Sequence, residues 1–103
     1  MDLESIISLG EKGETRLIRF LFTDSANIIR AKAAHVSGWR TRLTAGIGLV
    51  KGTMAMNMMD DLQADTGYGA TGEIRLVPDL NTFRVIPYSP ASAVVLCDMV
   101  ELD

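Results

Sequence analysis

Leu3, Ile6 and Ile7 fall at i, i+3 and i+4, the spacing that gathers three side chains on one face of a helix. Asp2 stands before them as an N-cap, and Gly10 and Gly13 follow as stop signals, so the pattern predicts a short helix over residues 2–12. The period then changes to two. Residues 15–23 (TRLIRFLFT) set Ile18, Phe20 and Phe22 on one side, as in a half-buried strand. Residues 24–27 (DSAN) supply turn chemistry. Residues 28–36 (IIRAKAAHV) read as a second strand, antiparallel to the first, so the two form a hairpin.

Ser37 opens a second helix that runs to about Ala45. Its hydroxyl is placed to cap free backbone N–H groups, and Trp39 and Leu43, four apart, mark the buried face. Gly46 and Gly48 end it. Residues 49–59 (LVKGTMAMNMM) fit neither period: they are too rich in Met for a strand and are interrupted by Gly52. Residues 60–72 (DDLQADTGYGATG) form the clearest loop, longer than most connections in a compact domain. Short strands are expected at 73–77, ended by Pro78, and at 82–86, ended by Pro87, with turns at 79–81 and 88–90. Residues 93–100 (AVVLCDMV) are the most apolar strand, expected to lie centrally and to be buried on both faces. A hairpin, a helix packed across it and a central return strand is the β-grasp arrangement. The expected fold is α+β: a mixed sheet of about five strands on one main helix, with a short N-terminal helix. Other α+β sandwiches share this order of elements.

The chain has 103 residues, enough for one domain. A net charge of −3, with basic residues scattered along the chain, argues against a nucleic-acid surface, which needs clustered Lys and Arg. The single cysteine, Cys97, excludes an internal disulfide, and one Cys with one His is too few for a structural zinc site. A reducing, cytoplasmic setting is the default. The start, Met-Asp-Leu-Glu, carries acids where a signal peptide needs positive charge, and no apolar run approaches the roughly 20 residues of a membrane span.

Three stretches carry a resemblance: RFLFTD (19–24), GEIRLVPDLNTFRVIPY (72–88) and AVVLCDM (93–99). Leu76, Pro78, Asp79, Thr82, Pro87, Cys97 and Asp98 stand in the order and spacing of the N-terminal domain of glutamine synthetases, which the chain resembles from about Thr15 onward. The wording Gly-Glu-Ile-Arg-Leu-Val-Pro-Asp is most similar to the bacterial glutamine synthetase-like branch that includes γ-glutamyl-amine ligases.

The resemblance implies an enzyme that uses ATP and Mg2+ or Mn2+ to phosphorylate the γ-carboxylate of glutamate, after which ammonia or an amine displaces phosphate. It implies that the metal ligands lie in a large C-terminal catalytic domain outside residues 1–103. The chain is then a fragment with no catalytic residue of its own. It also implies a homo-oligomeric ring in which this domain packs against the catalytic domains of its own and a neighbouring subunit. The segment after the main helix would wall the neighbour's substrate site, where the family pattern is Phe-Asp-Gly-Ser-Ser. The matching residues are Val50, Lys51, Gly52, Thr53 and Met54. Gly52 and Thr53 agree with the pattern. Lys51 replaces the Asp that binds ammonium, and Met54 replaces the second Ser. A lysine ammonium repels ammonium, which points to a different amine, a different geometry or an altered activity.

Each candidate has a plainer reading beside the functional one. Lys51 and Met54 also suit a solvated lysine beside a Met-rich core edge. The run 46–53 (GIGLVKGT) has Lys-Gly-Thr where a phosphate loop needs Gly-Lys-Thr opening a helix. Asp60, Asp61 and Asp65 lack the alternation and closing Glu of a calcium loop. His35 reads as a surface or hydrogen-bonded structural histidine, and Cys97 as a small hydrophobe in an apolar strand. Met54, Met56, Met58 and Met59 are either gap-filling core or a subunit contact. The alternative to an enzyme fragment is a stand-alone β-grasp adaptor module.

Overall fold

Asp2 starts the first helix as its spacing predicts: Oδ1 accepts the Ser5 N–H at 2.8 Å, and α1 runs Leu3–Glu11. The computed structural model describes residues 2–24, 26–50, 53–54, 59 and 72–101. Ile6 is fully buried, and Leu3, Ile7 and Leu9 pack against the core. Gly10 is not the stop signal expected of it. It lies inside α1 and is buried, because a Cβ there would come within 2.6 Å of Val36 Cγ2 and 2.7 Å of Trp39 Cζ3. Gly13, at φ 79°, makes the turn out of the helix.

Strand β1 (Leu17–Thr23) pairs antiparallel with β2 (Ile29–His35), from Leu17 opposite His35 to Thr23 opposite Ile29. Ile18, Phe20 and Phe22 all point inward. Asp24 organises the turn between them. Its Oδ1 accepts the N–H groups of Ala26 and Ile28, both at 2.9 Å, and its Oδ2 pairs with Arg30 Nε. Asn27 adopts the left-handed conformation at φ 63°.

The main helix begins differently from expectation. Ser37 does not cap it with its side chain. A 3-10 turn, Val36–Gly38, intervenes, and His35 Nδ1 accepts the Ser37 N–H at 3.3 Å. Helix α2 (Trp39–Ala45) then follows from Gly38, which offers no side-chain cap. Trp39 and Leu43 are buried as their spacing predicts, and the Trp39 indole N–H donates to the Ala34 carbonyl at 3.0 Å. Glu4 and Arg40 join the two helices on the surface through a two-pronged pair at 2.8 and 3.2 Å.

Gly46, at φ 83°, ends α2 and lies where a Cβ would meet the Leu76 carbonyl oxygen at 2.5 Å. Gly48, expected as a second stop, instead belongs to the short strand β3 (Ile47–Val50). The separate strands expected at 73–77 and 82–86 are one, β4 (Glu73–Ile86), and the last strand is β5 (Ser89–Glu101). Pro78 does not stop β4; it sits opposite Cys97. β3 pairs with β4 only as far as Leu76, so the strand is already an edge on that side at Pro78, the setting in which a strand tolerates proline. The turn expected at 79–81 exists as a bulge within the strand. Asp79 Oδ1 accepts the Asn81 N–H, and Thr82 Oγ1 donates to the Asp79 carbonyl while accepting the Leu96 N–H. The register shifts there, between Asp79 and Arg84.

The five strands form one mixed sheet in the order β2-β1-β5-β4-β3. β1 and β5 are parallel, from Leu17 opposite Ser92 to Leu21 opposite Leu96, and the other pairs are antiparallel. This is the expected α+β, β-grasp arrangement, with β5 at the centre. One expectation about β5 fails. Ala93 and Val95 face the helices and are fully buried, but Leu96 is 54% exposed on the opposite face. Ile6, Trp39 and Leu43 all join the core that the inward face of the sheet lines, so the other face is open among the described residues.

Candidate functional site

The segment expected to wall a substrate site follows β3, an edge strand of the sheet. Val50, the last residue of β3, is opposite Glu73, the first of β4. Lys51 and Gly52 lie outside the described residues, as do Met56, Met58, Asp60, Asp61, Asp65 and Tyr68. Thr53 and Met54 form a short helical turn and are half-buried, neither sealed in the core nor fully open. Met59 is 73% exposed.

Beside this edge is a cleft of about 360 Å³ that sequence reasoning missed. Lys32 and Ala33 of β2, Arg42 of α2, Ile47 and Gly48 of β3, and Glu73 and Arg75 of β4 line it. β2 and β3 are the two opposite edges of the sheet, yet Lys32 Nζ donates to the Gly48 carbonyl at 2.7 Å. The sheet therefore curls far enough for a single lysine side chain to span its edges. Arg75 donates to the Gly46 carbonyl at 3.4 Å and lies 3.4 Å from Glu73 Oε1. The Glu73 carboxylate rests on Gly48, where a Cβ would be 2.0 Å from Oε1 and would push this side chain aside. Lys32, Arg42, Glu73 and Arg75 share no spacing in the sequence that would announce a cleft built from four elements.

The remaining candidates fall on the structural side. His35 is exposed and turns back to the Ser37 backbone. Cys97 is half-buried and packs against the core. Burial, and secondarily the neighbouring Asp98 charge, push its thiol up to about 12. Asp24 is held below the ordinary carboxylate range, chiefly by its hydrogen bond with Arg30. On the open face of the sheet, Leu21, Thr23, Ile29 and Leu96 border a shallow apolar groove.

The model for the glutamine synthetase N-terminal domain matches residues 3–103. The chain belongs to this family. As a glutamine synthetase N-terminal domain it is similar to Lengsin from Homo sapiens, at 27% identity over 93 residues covering 84% of this chain and 18% of that protein. Lengsin from Canis lupus familiaris is 28% identical over 90 residues, covering 84% of this chain and 16% of that protein. A solved structure of a novel glutamine synthase homolog superposes with a TM-score of 0.71 at 29% identity, covering 84% of this chain and 22% of that one. Apo GmaS superposes with a TM-score of 0.75 over 93% of this chain and 21% of that one; at 16% identity it supports the fold alone. This glutamine synthetase domain thus spans about a fifth of the length of the relatives it matches. Among its described residues no helix is long and apolar enough to cross a membrane, and no three His, Cys, Asp or Glu side chains gather as a metal group.

Proposed function

We propose that this chain is the N-terminal domain of a glutamine synthetase-like, ATP-dependent ligase that joins glutamate to ammonia or an amine, and that it is not catalytic alone. The observation that carries the reading is the family match along residues 3–103, in a chain about one fifth as long as its relatives. In this reading the segment Lys51–Gly52–Thr53–Met54 lines a substrate site completed by the catalytic domain of a neighbouring subunit in a homo-oligomeric ring. The position of that segment directly after the edge strand β3, and the half-buried state of Thr53 and Met54, support this role. ATP and Mg2+ or Mn2+ would be held by residues outside those described, so no catalytic step is assigned to this chain's side chains. The working environment would be the cytoplasm.

Lys51 sets the choice of second substrate. A fixed cation at the position where the family carries a carboxylate disfavours ammonium and leaves an organic amine as the preferred nucleophile. The test is an ADP-release assay on the whole protein with glutamate and either ammonium or primary amines. Turnover with an organic amine and little with ammonium is expected, and Lys51→Asp should shift the preference toward ammonium. Strong glutamine formation by the unaltered protein overturns the role given to Lys51. Absence of glutamate-dependent ATP use with every amine overturns the ligase reading and leaves the adaptor module. A monomeric whole protein in sedimentation would remove the shared site.

A further inference from the structure

We propose that the cleft between β2, α2, β3 and β4 is a binding site for a small, doubly charged oxyanion, of the phosphate or dicarboxylate kind. The cleft is set within this chain and needs no neighbouring subunit, so the idea stands apart from the ligase reading.

Charge is the first argument. The chain as a whole is at −3, yet this cleft brings three cations, Lys32, Arg42 and Arg75, to one carboxylate, Glu73. A concave surface with one predominant sign of charge focuses the field and concentrates counter-ions. Geometry is the second. The Arg42 side chain has no hydrogen-bond or ion-pair partner among the described residues, although it stands in the last turn of α2 beside two other cations. Lys32 spends one N–H on the Gly48 carbonyl and keeps two. Among the described residues the Arg75 side chain makes only long contacts, 3.4 Å to Gly46 and 3.4 Å to Glu73, and it remains 31% exposed. Three cationic groups with unspent donors therefore surround one space. Glu73 is drawn against Gly48 and Arg75. It offsets one positive charge and leaves an excess of two, which matches a dianion rather than a chloride.

Third, the space fits. A volume of about 360 Å³ accommodates a phosphate or a four-carbon diacid with part of its hydration. Guanidinium groups recognise planar and tetrahedral oxyanions through paired N–H donors, which a halide cannot exploit.

The test is a titration of the 15N-labelled chain, followed by two-dimensional NMR, with inorganic phosphate, succinate and chloride at matched ionic strength. Phosphate, succinate or both should produce saturable shifts centred on Lys32, Arg42, Gly48 and Arg75, and which of them does so assigns the class of oxyanion. Arg42→Gln should weaken the binding by about fivefold or more, as expected for loss of a charge-assisted contact. Arg42 is exposed, so its replacement leaves the fold intact; if the spectrum of R42Q nevertheless collapses, Lys32→Gln carries the test with the same expected loss. Shifts that fail to saturate, that match those from chloride, or that persist unchanged in the folded variant overturn the proposal.

Discussion

The indole N–H of Trp39 reaches back to the Ala34 carbonyl at 3.0 Å, tying the first residue of α2 to the strand that precedes it. The same ring covers Gly10 of α1, so one side chain joins a strand and two helices. It is 1% exposed. Replacing Trp39 by Ala should cost about 3–5 kcal/mol, the usual range for deleting a large buried aromatic ring. Trp39→Phe keeps most of the packing and should cost less, losing chiefly the hydrogen bond. Urea unfolding of the two variants separates the contributions, and equal losses would mean that the hydrogen bond, not packing, dominates.

Gly10 gives the complementary prediction. Alanine is the better helix former, so an exposed Gly→Ala change inside a helix should stabilise. Here the added methyl collides with Val36 and Trp39 at 2.6–2.7 Å. Gly10→Ala should therefore destabilise the chain by about 1–3 kcal/mol, the range for overpacking. A higher melting temperature for the variant would show that α1 can slide away from α2 without loss.

Asp24 makes acid stability predictable in sign. Its folded value is lowered below the ordinary 3.8, first by Arg30 and then by the turn N–H groups of Ile28 and Ala26. The carboxylate's contribution is whole above the unfolded value and is lost as pH falls through the lowered folded value. Asp24→Asn should melt earlier than the unaltered chain at pH 7, and the gap should close as pH falls through the lowered folded value, where the aspartate itself becomes neutral. A gap that stays constant over the whole acid range in which the chain remains folded would assign the effect to shape rather than charge.

Cys97 should resist alkylation. With its thiol pushed up to about 12 from an ordinary 9.0, its thiolate fraction at pH 8 falls by on the order of a thousandfold. Iodoacetamide should therefore modify the native chain far more slowly than the urea-unfolded one. Equal rates would mean that β5 opens readily.

Period and capping residues carried most of the fold. Ile18, Phe20 and Phe22 alternate because one face of β1 meets the helices, and Trp39 and Leu43 are four apart because α2 presents one stripe. The errors arose where tertiary context reverses a local rule. Pro78 reads as a strand end unless it is known that β3 has already stopped pairing. Gly48 reads as a helix stop, whereas its missing side chain makes room for Glu73, 25 residues later. β5 reads as doubly buried from its composition, but the side of the sheet on which helices settle is not written in the strand. The basic cleft was the least legible feature, since Lys32, Arg42 and Arg75 belong to three elements and meet only when the sheet curls. The resemblance to glutamine synthetases pointed to Lys51–Met54, of which Thr53 and Met54 are half-buried.

The parallel pairing of β1 with β5 governs when the domain can acquire its structure during synthesis. The Thr15 hydroxyl donates to the Pro90 carbonyl across 75 positions, and the two strands pair just beyond that bond. A ribosome can release α1, the first hairpin and α2 early, but β1 has no neighbour on its second edge until β5 (Ser89–Glu101) has emerged. Closing so long a loop is slow, and the waiting hairpin is open to self-association in the interval. A nascent chain that stalls before residue 89 should be a client for chaperones, however stable the finished domain is.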